Sequence, residues 1–237
     1  MSPLPKLSID LTEPFPTLKD APIIEAVIHW QAHAGKTLES EALRAELTQR
    51  LPDYPILHSL HGMEIAATGA ADGSSALFHR TQWNGFRLQD EQNHHVAQFT
   101  PTGVVFSRLS PYAGWNSFQT EAIRFWTIFL ELAEPTTIQR LGVRYIARIS
   151  LENNEQPSHY LNTVPLAPPG LDLPTDSFFH QDTYQVPGYP YQINWVRTIQ
   201  PAGADLADGR ALITDIDVST RELLQLREFD DLSALTP

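Results

Sequence analysis

A chain of 237 residues with 42% hydrophobic and 19% charged residues carries enough apolar material for a sizeable core, which excludes a disordered polymer. Its complete lack of cysteine excludes disulfides, iron–sulfur clusters, thiolate zinc sites and cysteine nucleophiles. Its formal charge of −12 repels phosphate backbones and argues against broad nucleic-acid binding.

Residues 1–21 hold Pro3, Pro5, Pro14 and Pro16 without periodicity, so they read as an extended arm, either loosely ordered or docked. They contain prolines and acids where a signal peptide needs an apolar run, and no stretch reaches the length of a membrane span. The expected setting is the cytoplasm, with no membrane. One domain is expected over 22–237, with 22–110 and 111–237 as candidate subunits.

Pro22–Gln31 reads as a strand. Ile24, Ala26, Ile28 and Trp30 share one face and Ile23, Glu25, Val27 and His29 the other. Both faces are largely apolar, which suits a central strand in which Glu25 needs a partner. Leu38–Leu51 reads as a helix on its Leu43, Leu47, Leu51 stripe, closed by Pro52. A loop is expected through Pro55 and Gly62. A meander follows: Ser75–Arg80, Gly85–Gln89, His95–Phe99 and Gly103–Leu109, with turns at Trp83–Gly85, Glu91–Asn93 and Pro101–Gly103.

Ser117–Glu134 reads as the principal helix, with Phe118, Ala122, Phe125, Trp126, Phe129 and Leu132 on one stripe. Asn116 and Gln119 are placed for a capping box, and Pro135 ends the helix. Such an aromatic stripe is the mark of a core face. Thr137–Leu151 reads as one long strand. Asn153–Pro190 is a proline-rich crossing with short structure near Ser158–Leu161. Phe178–Gln185 and Tyr191–Gln200 form a hairpin around Pro187 and Gly188. Arg210–Val218 is the last strand, with a short helix expected after Ser219, where Glu222 fits a capping box. The class is therefore α+β: a mainly antiparallel sheet with two principal helices, and a hint of a duplicated strand–helix–meander unit.

Arg140, Arg144 and Arg148 project from one face of the long strand, successive pairs about 13 Å apart at roughly 3.3 Å per residue. Three guanidiniums in a row suit a small phosphorylated or carboxylated ligand. The competing reading is a charge ladder in which Glu25, Asp215 and Asp217 neutralise them. Tyr112 and Trp115, in the segment between the meander and the principal helix, serve either as a staple holding the helix or as contact residues for a partner.

Nine histidines invite a metal reading, through His29, His58, His61, His79, His94 and His95. His94 and His95 point to opposite faces of a strand, and no His-Glu-x-x-His occurs, so no metal site is expected. No Gly-x-Ser-x-Gly, Walker loop or dinucleotide fingerprint is present either, and no cofactor is expected.

Ala21–Val27 (APIIEAV), Leu51–Pro55 (LPDYP), Leu109–Trp115 (LSPYAGW), Arg140–Arg148 (RLGVRYIAR) and the acidic pair Asp215 and Asp217 follow one another in an order and spacing that resemble a sporadically distributed bacterial family with no established activity. The resemblance covers most of the chain. It implies no catalytic set, and it implies genes that move between genomes, so an accessory or defence-linked role. Ala147 stands where the family pattern carries Asn. The family continues beyond the position of Pro237 into a further helix, so an apolar face is expected to be exposed or filled by a partner. The expected function is a non-catalytic binding protein with a protein partner or self-association. The alternative is an enzyme or sensor using the Arg140, Arg144 and Arg148 face.

Overall fold

Residues 5–8, 10, 12–15, 18–69, 75–152, 155–163, 170, 177–201 and 209–226 are described by the structure, a computed structural model. In chain order the elements are β1 (Ile23–Gln31), α1 (Ser40–Arg50), β2 (Ile56–Gly69), β3 (Ser75–Gln89), β4 (His95–Thr100), β5 (Gly103–Leu109), α2 (Trp115–Ala133), β6 (Thr137–Ile138), β7 (Arg140–Leu151), a 3-10 turn (Pro157–His159), β8 (Phe179–Gln185), β9 (Tyr191–Pro201), β10 (Arg210–Thr220) and β11 (Leu224–Gln225). Nine strands form one antiparallel sheet in the order β2-β3-β4-β5-β1-β7-β10-β9-β8, and β11 pairs with β6. The expected α+β class, with two principal helices, is therefore the observed one. No helix among the described residues is long and apolar enough to cross a membrane.

The strand order contains a recurrence. After β1 the chain crosses through α1 and returns as the meander β2–β5, whose last strand lies beside β1. After β7 it crosses through 152–178 and returns as the meander β8–β10, whose last strand lies beside β7. The second crossing has the Pro157–His159 turn as its described helical element, where the first has an 11-residue helix.

Two compact units result. One comprises residues 29–108, 114–139 and 223–237. Its core is aromatic: Phe86, Phe99, Phe106, Phe125 and Phe129 are each under 2% exposed. α2 supplies Phe118, Ala122, Phe125, Trp126, Ile128, Phe129 and Ala133 as its buried face. Ile128 and Ala133 are buried there, while Leu132 at the edge of the expected stripe is half-buried. The Leu43, Leu47 and Leu51 stripe of α1 is buried throughout. The other unit comprises residues 1–28, 109–113 and 140–222. Its apolar cluster is Leu151, Ile199 and Leu212, with Ile149, Leu161 and Phe178 packed against it. The arm is docked in this unit where it is described, with Leu7 N–H donating to the Pro187 carbonyl at 2.9 Å.

Several local expectations are corrected. The loop expected through Pro55 and Gly62 is instead the start of β2. Pro55 precedes the strand, where its missing N–H costs nothing, and β2 lies at the end of the sheet, where Gly62 is tolerated. Trp83–Gly85 is not a turn but an irregularity inside β3. Leu60 and His61 face Gly85 and Trp83, leaving Asn84 as the extra residue of a bulge. Gly85 has φ +124, and a Cβ there would overlap the Phe99 carbonyl oxygen, so only glycine fits. α2 begins at Trp115 behind Gly114, with no side-chain cap, so the Asn116–Gln119 capping box does not form. Its C-terminus ends at Glu134 in the left-handed region (φ 47, ψ 49), whose N–H bonds Leu130, before Pro135. The single strand expected over Thr137–Leu151 is broken at Gln139, whose N–H turns to the Gln31 carbonyl at 2.8 Å. The helix expected directly after Ser219 does not start there: β10 runs on to Thr220, β11 follows, and helical backbone first appears at Leu226. Residues 227–237, and residues 153–154, 164–169 and 171–176 of the proline-rich crossing, lie outside the described residues.

Candidate functional site

The alternation along β7 places its arginines as their spacing predicts, and the pairing with β10 decides what they meet. Arg144 stands opposite Asp217, Ile146 opposite Asp215 and Arg148 opposite Ile213. Arg144 reaches diagonally to Asp215 with two bonds, Nε to Oδ1 at 2.8 Å and Nη2 to Oδ2 at 2.6 Å. This hydrogen-bonded fork holds the guanidinium pKa above its ordinary value. Arg140 Nη2 donates to both oxygens of Asp217, at 2.7 and 2.6 Å. A Cβ on Gly142 would overlap the Arg140 guanidinium, so glycine at that position lets Arg140 lie back along the strand. Glu25 adds a weaker electrostatic pull on Arg144 without a hydrogen bond. The Arg148 side chain makes no hydrogen bond among the described residues; its backbone N–H donates to the Pro22 carbonyl at 2.8 Å. Two of the three guanidiniums thus direct donors at the protein's own carboxylates.

Tyr112 and Trp115 fall in different units. Tyr112 meets Tyr145 edge to face, ring centroids 5.7 Å apart, with the two hydroxyls 3.1 Å apart. Burial, and then the Tyr112 hydrogen bond, raise the Tyr145 phenol well above its usual range. Trp115 opens α2 with 42% of its surface exposed and its ring against Phe118 at 6.1 Å.

Two further clusters join residues that the sequence did not bring together. In the unit containing α2, Asp90 is 9% exposed. Its Oδ1 accepts the His94 and His95 amides at 2.8 and 3.0 Å, and its Oδ2 faces His95 Nδ1 at 2.9 Å. Arg108 donates to His95 Nε2. That nitrogen is therefore occupied, and the arrangement fastens the β3–β4 turn instead of presenting a base. Nearby, Tyr54 donates to Glu121 at 2.9 Å, and Arg124 joins Glu121 and Asp53.

Burial pushes the Asp90 carboxyl up, but the His95 amide, the His95 ring and the His94 amide outweigh it and hold the pKa below the ordinary aspartate value. A depressed folded pKa stabilises fully above the unfolded value, and the contribution is lost as pH falls through the folded one. Urea unfolding from about pH 6 down to about pH 2 is therefore expected to show stability falling below about pH 4, less steeply in Asp90→Asn. Equal slopes in the two proteins would contradict this assignment. No group of three or more His, Asp or Glu among the described residues is placed to hold a metal ion.

The second cluster lies on β8 and β9 of the other unit. Arg197, 3% exposed, bonds Asp182 through Nη2 and Thr163 through Nη1, to the carbonyl at 3.2 Å and the hydroxyl at 3.0 Å. Its guanidinium lies over the Trp195 ring at 4.0 Å, and Trp195 donates to Thr214 at 2.8 Å. The signal in the sequence was alternation: His180 and Asp182 share a face of β8, and Trp195 and Arg197 share the same face of β9.

Beyond this cluster the face becomes apolar. One cross-strand row runs Tyr184, Ile193, Val218, Val143, and the next runs Asp182, Trp195, Ile216, Tyr145. Tyr184, Ile216 and Val218 are 48%, 38% and 37% exposed. Comparison with protein-family models, curated proteins and solved structures finds no match to this chain.

Proposed function

We propose that this is a non-catalytic binding protein that holds a protein partner on the apolar face of β7–β10. The observation that carries the reading is the contiguity of Tyr184, Ile216 and Val218 with Ile193 and Trp195 on one side of one sheet. Scattered exposed apolar residues need no explanation, but neighbours in register form a patch, and patches mark contact surfaces. Tyr and Trp supply anchors with few rotatable bonds to immobilise. The engaged donors of Arg140 and Arg144 support this reading over the anionic-ligand alternative. The lack of cysteine suits a reducing compartment, so the cytoplasm is the proposed site of action.

The test is Val218→Glu. If the face is open in the free protein, its stability changes by less than about 0.5 kcal/mol, as for other surface substitutions. A benzophenone side chain at position 216 then gives one discrete crosslinked species in cells, which Val218→Glu abolishes. The same group at Thr183, on the opposite face, gives none. Light scattering across a concentration series separates self-association from a second protein. A loss above about 2 kcal/mol in Val218→Glu, the scale of a disrupted core, or the absence of any specific adduct at position 216, would reject the interface.

A further inference from the structure

A guanidinium has only donors. Arg197 Nη2 approaches His180 Nδ1 at 3.2 Å while also bonding Asp182. Nδ1 accepts from Arg197 only while the proton sits on the other ring nitrogen, Nε2. That Nε2 stands 3.3 Å from Asp182 Oδ1. One carboxylate thus bonds a buried cation and stands within ion-pair distance of the ring. The His180 side chain is 43% exposed, so a proton from solvent can reach it.

We propose that His180 is a proton-operated latch on the edge strand β8. Without a proton on Nδ1, it accepts from Arg197. Protonated, it presents a second N–H toward Arg197 and competes with it for Asp182. Among the described residues the charged groups facing the ring are Arg197 from β9 and Asp182 from β8. Two cations then share one carboxylate, and Arg197 loses more because its charge is the one withdrawn from water. Arg197 also holds Thr163, so the hold on Thr163 and the hold on β8 weaken together. Leu161 and Phe178, which pack on the Leu151, Ile199 and Leu212 cluster, flank those two attachment points. Histidine is the side chain suited to switching near neutral pH. The latch does not depend on what the apolar face binds.

Amide hydrogen exchange along β8, corrected for intrinsic rates, tests it at about pH 7.5 and about pH 5.5. The wild-type protein is expected to lose protection by about fivefold at the lower pH, the scale of one hydrogen bond's net contribution. His180→Gln, neutral throughout, is expected to keep its protection at both. His180→Lys, cationic throughout, is expected to show the low protection at both. The same pH response in His180→Gln as in wild type, or full protection of β8 in His180→Lys, would overturn the proposal. Exchange is measured without a partner, so failure of the interface reading leaves this result interpretable.

Discussion

Phe125→Ala is expected to destabilise the protein by about 4 kcal/mol, the range found when a buried aromatic is truncated. Phe125 is fully buried. Its ring meets Tyr54 edge-on at 5.0 Å, Phe99 edge-on at 6.0 Å and Phe106 stacked at 5.1 Å. Tyr54 is in turn tied to Glu121, one turn before Phe125 on the same helix. Truncation removes contact area from three rings and leaves a cavity that they cannot close without breaking the aromatic geometry. Urea unfolding followed by tryptophan fluorescence measures the change. A cost below about 1.5 kcal/mol, the scale of a tolerated swap, would mean that α2 is not anchored where the structure places it.

Asp182→Ala is expected to cost about 3 kcal/mol, because it leaves the Arg197 charge buried without its carboxylate. Arg197→Met is expected to be far milder, about 1 kcal/mol or less, since it removes the charge together with the need to neutralise it. Among the described residues, Nε of Arg197 is buried with no hydrogen-bond partner, so an apolar replacement also removes an unsatisfied donor. The double variant is expected to recover most of what Asp182→Ala loses. Denaturant titration of the three variants together with the wild type forms a double-mutant cycle. An Asp182→Ala protein as stable as wild type would show that the pair carries no net coupling, and with it the premise that Asp182 is contested would go.

These outcomes concern residues that differed greatly in how legible they were. The α2 stripe and the Arg140, Arg144, Arg148 spacing follow from periods of 3.6 and 2 within one segment, and the structure shows both. The ladder reading of Asp215 and Asp217 was also available, because alternation puts both on one face of β10. β2 was not legible, since His58, Ser59, His61 and Gly62 give no apolar alternation. Its identity comes from backbone bonds supplied by β3. The Arg197 cluster was hidden for a similar reason: it joins Thr163, Asp182 and Arg197, which no single window contains.

By itself, then, the sequence determined the two principal helices, the faces of β1, β7 and α2, and an antiparallel α+β class, because these depend on torsional preference and side-chain period along a short stretch. Tertiary structure alone decided that Arg144 reaches Asp215 instead of its direct neighbour Asp217, that Arg197 is buried over Trp195, and that Ile216 and Val218 lie open beside Tyr184. Each of those outcomes depends on the register between strands far apart in the chain. A shift of one residue would turn every side chain to the other face, and nothing local to either strand encodes that choice.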